Sequence, residues 1–278
     1  MGIDPESYYD ELGHEEWERA EQNFVHNLEF TNTVHYLEKH LPEEGKILDA
    51  GGASGRYAVW LAERGYEVTL VDISRKQLDI AEEKLDERDL LEKVELIKGD
   101  IRDLGFDDKS FDAVMCLGGP LSHVLEEYKR RKAAEELVRV ARKGSPVFFS
   151  VMGFYGILQL VILENKKSRI KNLEKLVERQ KIDKELYKDM EAEPEFASTY
   201  LFKPEGLKRL MSDSGIEVDR VVGLENVTSV LETEEDENNR LHIDEEIVDI
   251  LVNVSKSIRD EKASAYLSSH ILGFGFKK

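Results

Sequence analysis

The chain has 278 residues, 41% of them hydrophobic, with a formal net charge of −19 and an isoelectric point near 4.9. That length suits one large α/β domain or two small ones, and so negative a surface repels phosphate backbones, so nucleic acid is not an expected partner. The single cysteine, Cys116, excludes an intrachain disulfide framework and fits a reducing, cytoplasmic setting.

The opening "MGIDPESYYDELGHEEWE" is acidic and has no apolar h-region, so it is not read as a signal peptide. Residues 8–40 space apolar and aromatic side chains at three and four, Trp17, Phe24, Leu28 and Val34 among them, which predicts helix. Pro42 to Gly45 end that stretch, and from Lys46 short apolar runs alternate with amphipathic segments. Strands are expected at 46–49, 67–72, 94–98, 111–117 and 147–152, with helices beginning near Gly55, Ser74 and Leu125. Such alternation argues for βαβ units and a parallel sheet.

Residues 145–163 run for 19 positions without a charge, near the length of a membrane span. Gly153 and Gly156 interrupt them, so the expectation is a buried strand, a turn and the start of a buried helix, with no membrane partner. Residues 164–193 read as a charged, solvated helical insertion, and the basic runs at 128–132 and 166–171 as solvated helix faces. Pro204 opens another helix that Gly215 stops. The strand "IEVDRVVGL", an acidic connector "LETEEDENN", a helix over 244–259 and a final apolar strand "HILGFGF" follow. The expected organisation is one domain over 1–278. It comprises an N-terminal helical lid (1–45), a cofactor-binding core (46–152), a helical insertion (153–203), and a C-terminal part of the sheet (204–278) with a helical insertion near 226–262.

The stretch "ILDAGGASGRYAVWLAERGYEVTLVDIS", from Ile47 to Ser74, reads as strand, glycine turn, helix and second strand. A P-loop would place Gly-Lys where Arg56 follows Gly51 at that spacing, and the dinucleotide pattern Gly-x-Gly-x-x-Gly fails in both registers. Asp49 stands at the first strand's tip, where it would repel a pyrophosphate and attract a cation. The pattern Asp49, Gly51, Ala53, Gly55, with Gly52 between, suits S-adenosylmethionine, which carries an ammonium and a sulfonium and no phosphate. Asp72 with Ile73 at the second strand's end is placed to take ribose hydroxyls, and Asp100 with Ile101 after the third to take an adenine amino group. Leu117 and Gly118 close the crevice from the fourth strand.

With "GDIRDL", "FDAVMCLGGPLSHVL" and "LVRVARKGSPVFFSV" in the same order, the chain resembles class I S-adenosylmethionine-dependent methyltransferases of the small-molecule type. The resemblance extends to "YYDELGHEEWER" and "YLFKPEGLKRLMSDSGIEV". It implies an α/β fold, a doubly wound, mostly parallel seven-stranded sheet with a reversed last strand, and S-adenosyl-L-methionine as cofactor. Ala53 departs from the family pattern, which has glycine there.

Methyl transfer is an in-line displacement in which proximity and alignment supply most of the acceleration. The fourth strand is followed by "CLGGPL" and lacks the Asn/Asp-Pro-Pro-aromatic motif of amino-methylating nucleic-acid enzymes, so a small-molecule acceptor is expected. His123, just after that strand, is the candidate catalytic base. Tyr8, Tyr9, Trp17, Tyr155 and Tyr200 are the candidate acceptor or lid residues. Cys116 reads as a core residue, and the seven histidines show no ligand spacing, so no metal is expected. A non-catalytic protein that binds S-adenosylmethionine or S-adenosylhomocysteine stays open as the alternative, and a nicotinamide oxidoreductase is opposed by the failed fingerprint.

Overall fold

The computed structural model describes residues 4–22, 24–191, 196–231 and 245–278. Its main sheet has seven strands in the order β3-β2-β1-β4-β5-β9-β8. These are β1 (Lys46–Ala50), β2 (Glu67–Asp72), β3 (Val94–Lys98), β4 (Ala113–Cys116), β5 (Pro146–Met152), β8 (Ile216–Gly223) and β9 (His270–Lys277). A separate pair, β6 (Lys181–Ile182) and β7 (Thr199–Tyr200), lies in the insertion and has no counterpart in the sequence reading. All pairings of the main sheet are parallel except those of β9, which runs antiparallel to both β5 and β8. The reversed last strand is as expected.

The two faces of the sheet follow the period-two alternation of its strands. Leu48, Ala50, Val114, Cys116, Val147, Phe149 and Val151 pack into one core. Ile47, Ala113, Met115 and Phe148 turn the other way into a second. Because both faces are covered, these strands read as near-continuous apolar runs. The first face receives α6 (Glu127–Val140) and α11 (Pro204–Asp213) through Ala133, Leu137, Leu207 and Met211. The second receives α3 (Phe24–His40), α4 (Arg56–Glu63) and α5 (Arg75–Asp86) through Leu37, Leu61, Leu78 and Leu85.

The helical stretch expected over 8–40 is three helices, α1 (Pro5–Leu12), α2 (Glu15–Gln22) and α3. Asp4 caps α1 by accepting from the Ser7 N–H, and Gly13 at φ 55° ends it. The strand expected over 111–117 shortens to β4, since Phe111 leaves the ladder to bridge Ala141. The insertion holds α7 (Phe154–Leu163), α8 (Lys167–Ile170), α9 (Leu173–Arg179) and α10 (Lys184–Asp189) around a small core of Phe154, Val161, Leu176, Leu186, Met190 and Leu201. It is therefore not simply solvated. After β8 come α12 (Glu245–Ile258) and α13 (Ser264–Leu267), while the acidic connector beyond Leu231 lies outside the described residues. Among the described residues, no helix is long and apolar enough to cross a membrane. The apolar stretch 145–163 splits into β5 and α7, as expected.

The order in which strands are added reverses between β1 and β4, which run parallel, and in open α/β sheets ligands bind at the carboxyl ends beside such a switch point.

Candidate active site

The turn after β1 is built by close contact. The Gly51 N–H donates to the Val71 carbonyl at 2.6 Å. Gly51 has φ 77°, and a Cβ there would stand 2.3 Å from Cγ of Pro120, so the turn and the loop after β4 touch. Ala53, where the family has glycine, adopts φ 45°. Non-glycine residues in that region carry strain of about 1–2 kcal/mol. Gly55, at φ 82°, precedes α4, and a Cβ on it would meet Ala81 at 3.0 Å.

The three strand-tip carboxylates occupy three different settings. Asp72 Oδ2 accepts from the Ala53 N–H at 2.9 Å and Oδ1 from the Ser74 N–H at 2.8 Å, which leaves a lone pair on each oxygen. Burial pushes its carboxyl up to about 6, although those N–H bonds oppose the rise. Asp49 is wholly buried, and neither of its oxygens has a hydrogen-bond partner among the described residues. Burial and then the nearby Asp72 charge raise it to about 7. Asp49 lies beneath the turn: a Cβ at Gly52 would stand 2.6 Å from its Oδ2. Asp100 is clasped by Arg102, which donates its backbone N–H at 2.8 Å and its Nε at 2.9 Å. Burial works against ionisation there, but the Arg102 bonds more than offset it and hold the carboxyl below its ordinary value. Arg102 was not legible as a site residue.

A cavity of about 260 Å3 opens on these tips. Of the expected cofactor residues, Gly51, Gly52, Ala53, Asp72, Ile73, Asp100, Ile101, Leu117 and Gly118 line it. Asp49 and Gly55 stand behind that wall and do not line it. Ser54, Arg56, Arg102 and Glu29 join the lining without having been singled out. Asp4, Pro5, Tyr9 and Glu16 roof it. The roof is lashed to the core through α5: Gln77 Nε2 donates to the carbonyls of Tyr9 at 2.7 Å and Gly13 at 3.0 Å, and Ser74 Oγ donates to Asp10 at 2.5 Å.

A second cavity, of about 380 Å3, lies between the N-terminal helices and the insertion. Tyr8, Leu12, Met152, Ile157, Leu160, Leu186 and Phe196 make much of its wall apolar, and a Glu164–Arg169 ion pair contributes charge. Tyr9, Glu16 and His26 line both cavities. His123 lines the first, at the end of a 3-10 turn, Pro120–His123. The Tyr9 hydroxyl stands 3.2 Å from His123 Nε2, and His123 Nδ1 stands 3.1 Å from the Ser198 carbonyl. A carbonyl only accepts, so Nδ1 carries the proton and Nε2 is the open base. Burial pushes the His123 pKa below its ordinary value.

Three sequence candidates lie elsewhere. Trp17 packs near α5, with Arg88 5.3 Å from its ring. Tyr155 packs on Tyr266, with ring centroids 5.6 Å apart, and Tyr200 carries the Arg130 guanidinium 3.6 Å above its ring. None of the three lines either cavity, because α2, α7 and β7 turn those rings into packing contacts. Tyr8 lines the second cavity and Tyr9 lines both. The basic runs also need correcting. Arg130 is 6% exposed and donates to the carbonyls of Val124 and Leu125, and Arg169 faces the second cavity. Cys116 is a core residue, its thiol pushed up by burial.

Sheet order, switch-point crevice and acidic strand tips together define a Rossmann-like domain suited to a nucleoside ligand bearing positive charge. Residues 47–144 match a family described as a methyltransferase domain. A putative methyltransferase of Bacillus subtilis is 27% identical over 125 residues, 45% of this chain and 49% of that protein. A cypemycin N-terminal methyltransferase of a Streptomyces species is 34% identical over 116 residues, 41% and 45% of the two chains. A solved S-adenosylmethionine-dependent methyltransferase from Methanosarcina mazei superposes with a TM-score of 0.59 at 21% identity, covering 87% of this chain and 96% of that one. These curated relatives are matched over about half of their length or less. The segment 47–144 is thus similar to methyltransferase domains, and the fold is that of S-adenosylmethionine-dependent methyltransferases, which use S-adenosyl-L-methionine as cofactor.

The site fits that cofactor. Asp72 keeps a lone pair on each oxygen that can accept from ribose hydroxyls. The orphaned carboxylate of Asp49 supplies negative charge directly beneath the turn, where a cationic ligand offsets an otherwise costly buried charge.

Proposed function

We propose that this chain is an S-adenosylmethionine-dependent methyltransferase acting on a small-molecule acceptor seated in the second cavity. The observation that carries the reading is the pair of adjoining cavities with Tyr9, Glu16 and His26 in both walls. Asp72, the 51–53 turn and Leu117 would hold the cofactor, with Asp49 acting through its charge from below. The cofactor supplies an electrophilic methyl group on a sulfonium.

The chain's own contribution is placement, shielding and proton transfer. The apolar wall of the second cavity excludes water and orients the acceptor, which is where most of the acceleration of an in-line displacement arises. Tyr9 stands at the junction of the cavities with its hydroxyl on His123 Nε2. A proton lost by the acceptor would pass to the phenolic oxygen as the phenol's own proton moves to His123. The Ser198 carbonyl fixes the tautomer this requires. The net charge of −19 supports a small molecule over nucleic acid, since phosphate binding needs a gathered basic face.

The test is incubation with methyl-labelled cofactor and fractionated small-metabolite extract. Label entering a low-molecular-weight product supports the reading. Cofactor binding without transfer to any fraction would favour a purely binding role, and salt-sensitive transfer to RNA would replace the small-molecule acceptor.

A further inference from the structure

Glu29 on α3, Glu225 in the turn after β8 and His270 at the start of β9 place one ligand atom each within 4.8 Å of one another. They are 5%, 0% and 2% exposed. We infer that these three side chains form a binding site for one divalent transition-type cation, such as Mn2+ or Zn2+, in the partition between the two cavities.

Four observations carry the assignment. First, the donors converge from three separate elements. Glu225 is held against the start of β9, because its Oε2 accepts from the His270 N–H at 2.9 Å while its Oε1 stands 2.5 Å from His270 Nδ1. Second, among the described residues Glu29 aims into this space without a close side-chain partner. It lines the first cavity, and the nearest cationic group among the described residues is His270 Nδ1 at 3.9 Å, outside hydrogen-bond reach. A carboxylate so buried is costly unless a cation or good donors meet it. Third, the trio has access. Glu29 faces the first cavity and His270 the second, so a cation among them would keep coordination positions open towards both. Fourth, the donor set is selective. Two carboxylates and an imidazole suit Mn2+, Fe2+ or Zn2+ better than Ca2+ or Mg2+, which favour all-oxygen shells.

The geometry needs only small adjustment. Metal–ligand bonds of about 2.0–2.2 Å put neighbouring donor atoms about 3 Å apart. His270 and Glu225 would separate slightly, and Glu29 would close in, both within the reach of side-chain rotation. The existing His270–Glu225 hydrogen bond is what the cation would replace. The spacing of 29, 225 and 270 along the chain gives no sign of the site, since the elements meet only in the fold. The proposal is independent of the methyltransferase reading, because cation binding is measured with neither cofactor nor acceptor present.

The test titrates the full chain, stripped with chelator, with MnCl2 while following free Mn2+ by electron paramagnetic resonance, and separately with ZnCl2 by calorimetry. The expected result is one equivalent bound, weakened at least tenfold in Glu29→Gln and in Glu225→Gln. Glu164→Gln in the second cavity should bind as wild type. Circular dichroism and thermal unfolding show which variants are folded. Glu29→Gln, which leaves the His270–Glu225 hydrogen bond in place, decides the matter if Glu225→Gln does not fold. Absence of binding by the wild-type chain at millimolar metal, or equal binding by wild type and folded Glu29→Gln, overturns the site and leaves the trio a buried ion pair.

Discussion

The hydroxyl of Tyr9 stands 3.2 Å from Nε2 of His123, joining two residues 114 positions apart. One comes from the first helix and the other from the turn after the fourth strand. The contact ties closure of the N-terminal roof to the group proposed as base.

Under the proposed mechanism, that contact makes Tyr9 and His123 act as one unit in transfer. Tyr9→Phe and His123→Ala should each lower turnover by about 10²–10⁴-fold, the usual contribution of a positioned acid–base group. Cofactor affinity should change little. The double variant should be scarcely worse than either single one, as for residues on one proton path. Burial lowers the His123 pKa, so the acid limb of kcat/KM should fall at a pH below the ordinary histidine range. Single-turnover rates of the three variants check this, and full activity in His123→Ala would reduce catalysis to proximity.

Asp72 combines two backbone N–H bonds with exposure to the first cavity. Asp72→Ala should weaken S-adenosylmethionine and S-adenosylhomocysteine alike by about 1.5–3 kcal/mol, the scale of a hydrogen bond to a charged group. Calorimetric affinities unchanged by the substitution would remove Asp72 from the ribose site.

Asp49 should make the ligand-free fold lose stability as pH rises. Its carboxyl is raised from the ordinary 3.8 to about 7, so the folded state holds a proton that the unfolded state releases. The stabilising effect of that proton is complete below about pH 4 and is lost as pH climbs through 7, at up to about 1.4 kcal/mol per pH unit. Asp49→Asn should therefore match wild type near pH 4 and exceed it at pH 8 in denaturant unfolding. Cofactor binding should release a proton near neutral pH in wild type and none in the variant. Calorimetry in buffers of different ionisation enthalpy reads that release, and equal proton counts would contradict the charge role.

Gly51 is required by contact as well as by φ. Gly51→Ala puts a methyl 2.3 Å from Pro120 Cγ at φ 77°. Overpacking and left-handed strain together should cost about 2–4 kcal/mol. Cofactor affinity should drop as well, because the turn and the loop after β4 form adjoining walls of one cavity. Thermal unfolding with and without S-adenosylhomocysteine separates the two effects.

Much of the core was legible because its signals are local. The strands 46–50, 67–72, 94–98 and 146–152 are short apolar runs bounded by turn residues, and Asp49, Asp72 and Asp100 announce themselves by standing at their ends. A strand's tip is a position in sequence, so the acids' register carried straight into space for Asp72 and Asp100, which line the cavity. Depth was not legible. Asp49 ended beneath the turn, and Arg102 folded back on Asp100 two residues away. Aromatic rings were the poorest guide, since the helical spacing of Trp17 and the flanking positions of Tyr155 and Tyr200 fit packing and ligand contact equally well.

The sequence by itself thus determined the alternation of strands and helices, the glycine turn and the acidic strand tips, because each depends on neighbours within a few residues. Tertiary structure alone decided that Tyr9 meets His123, that the insertion builds its own core and a second cavity, and that Glu29, Glu225 and His270 converge. Those contacts join residues more than a hundred positions apart or depend on how whole elements dock. Their geometry follows from packing the N-terminal helices and the insertion over the carboxyl edge of one sheet, a relation that no local spacing encodes.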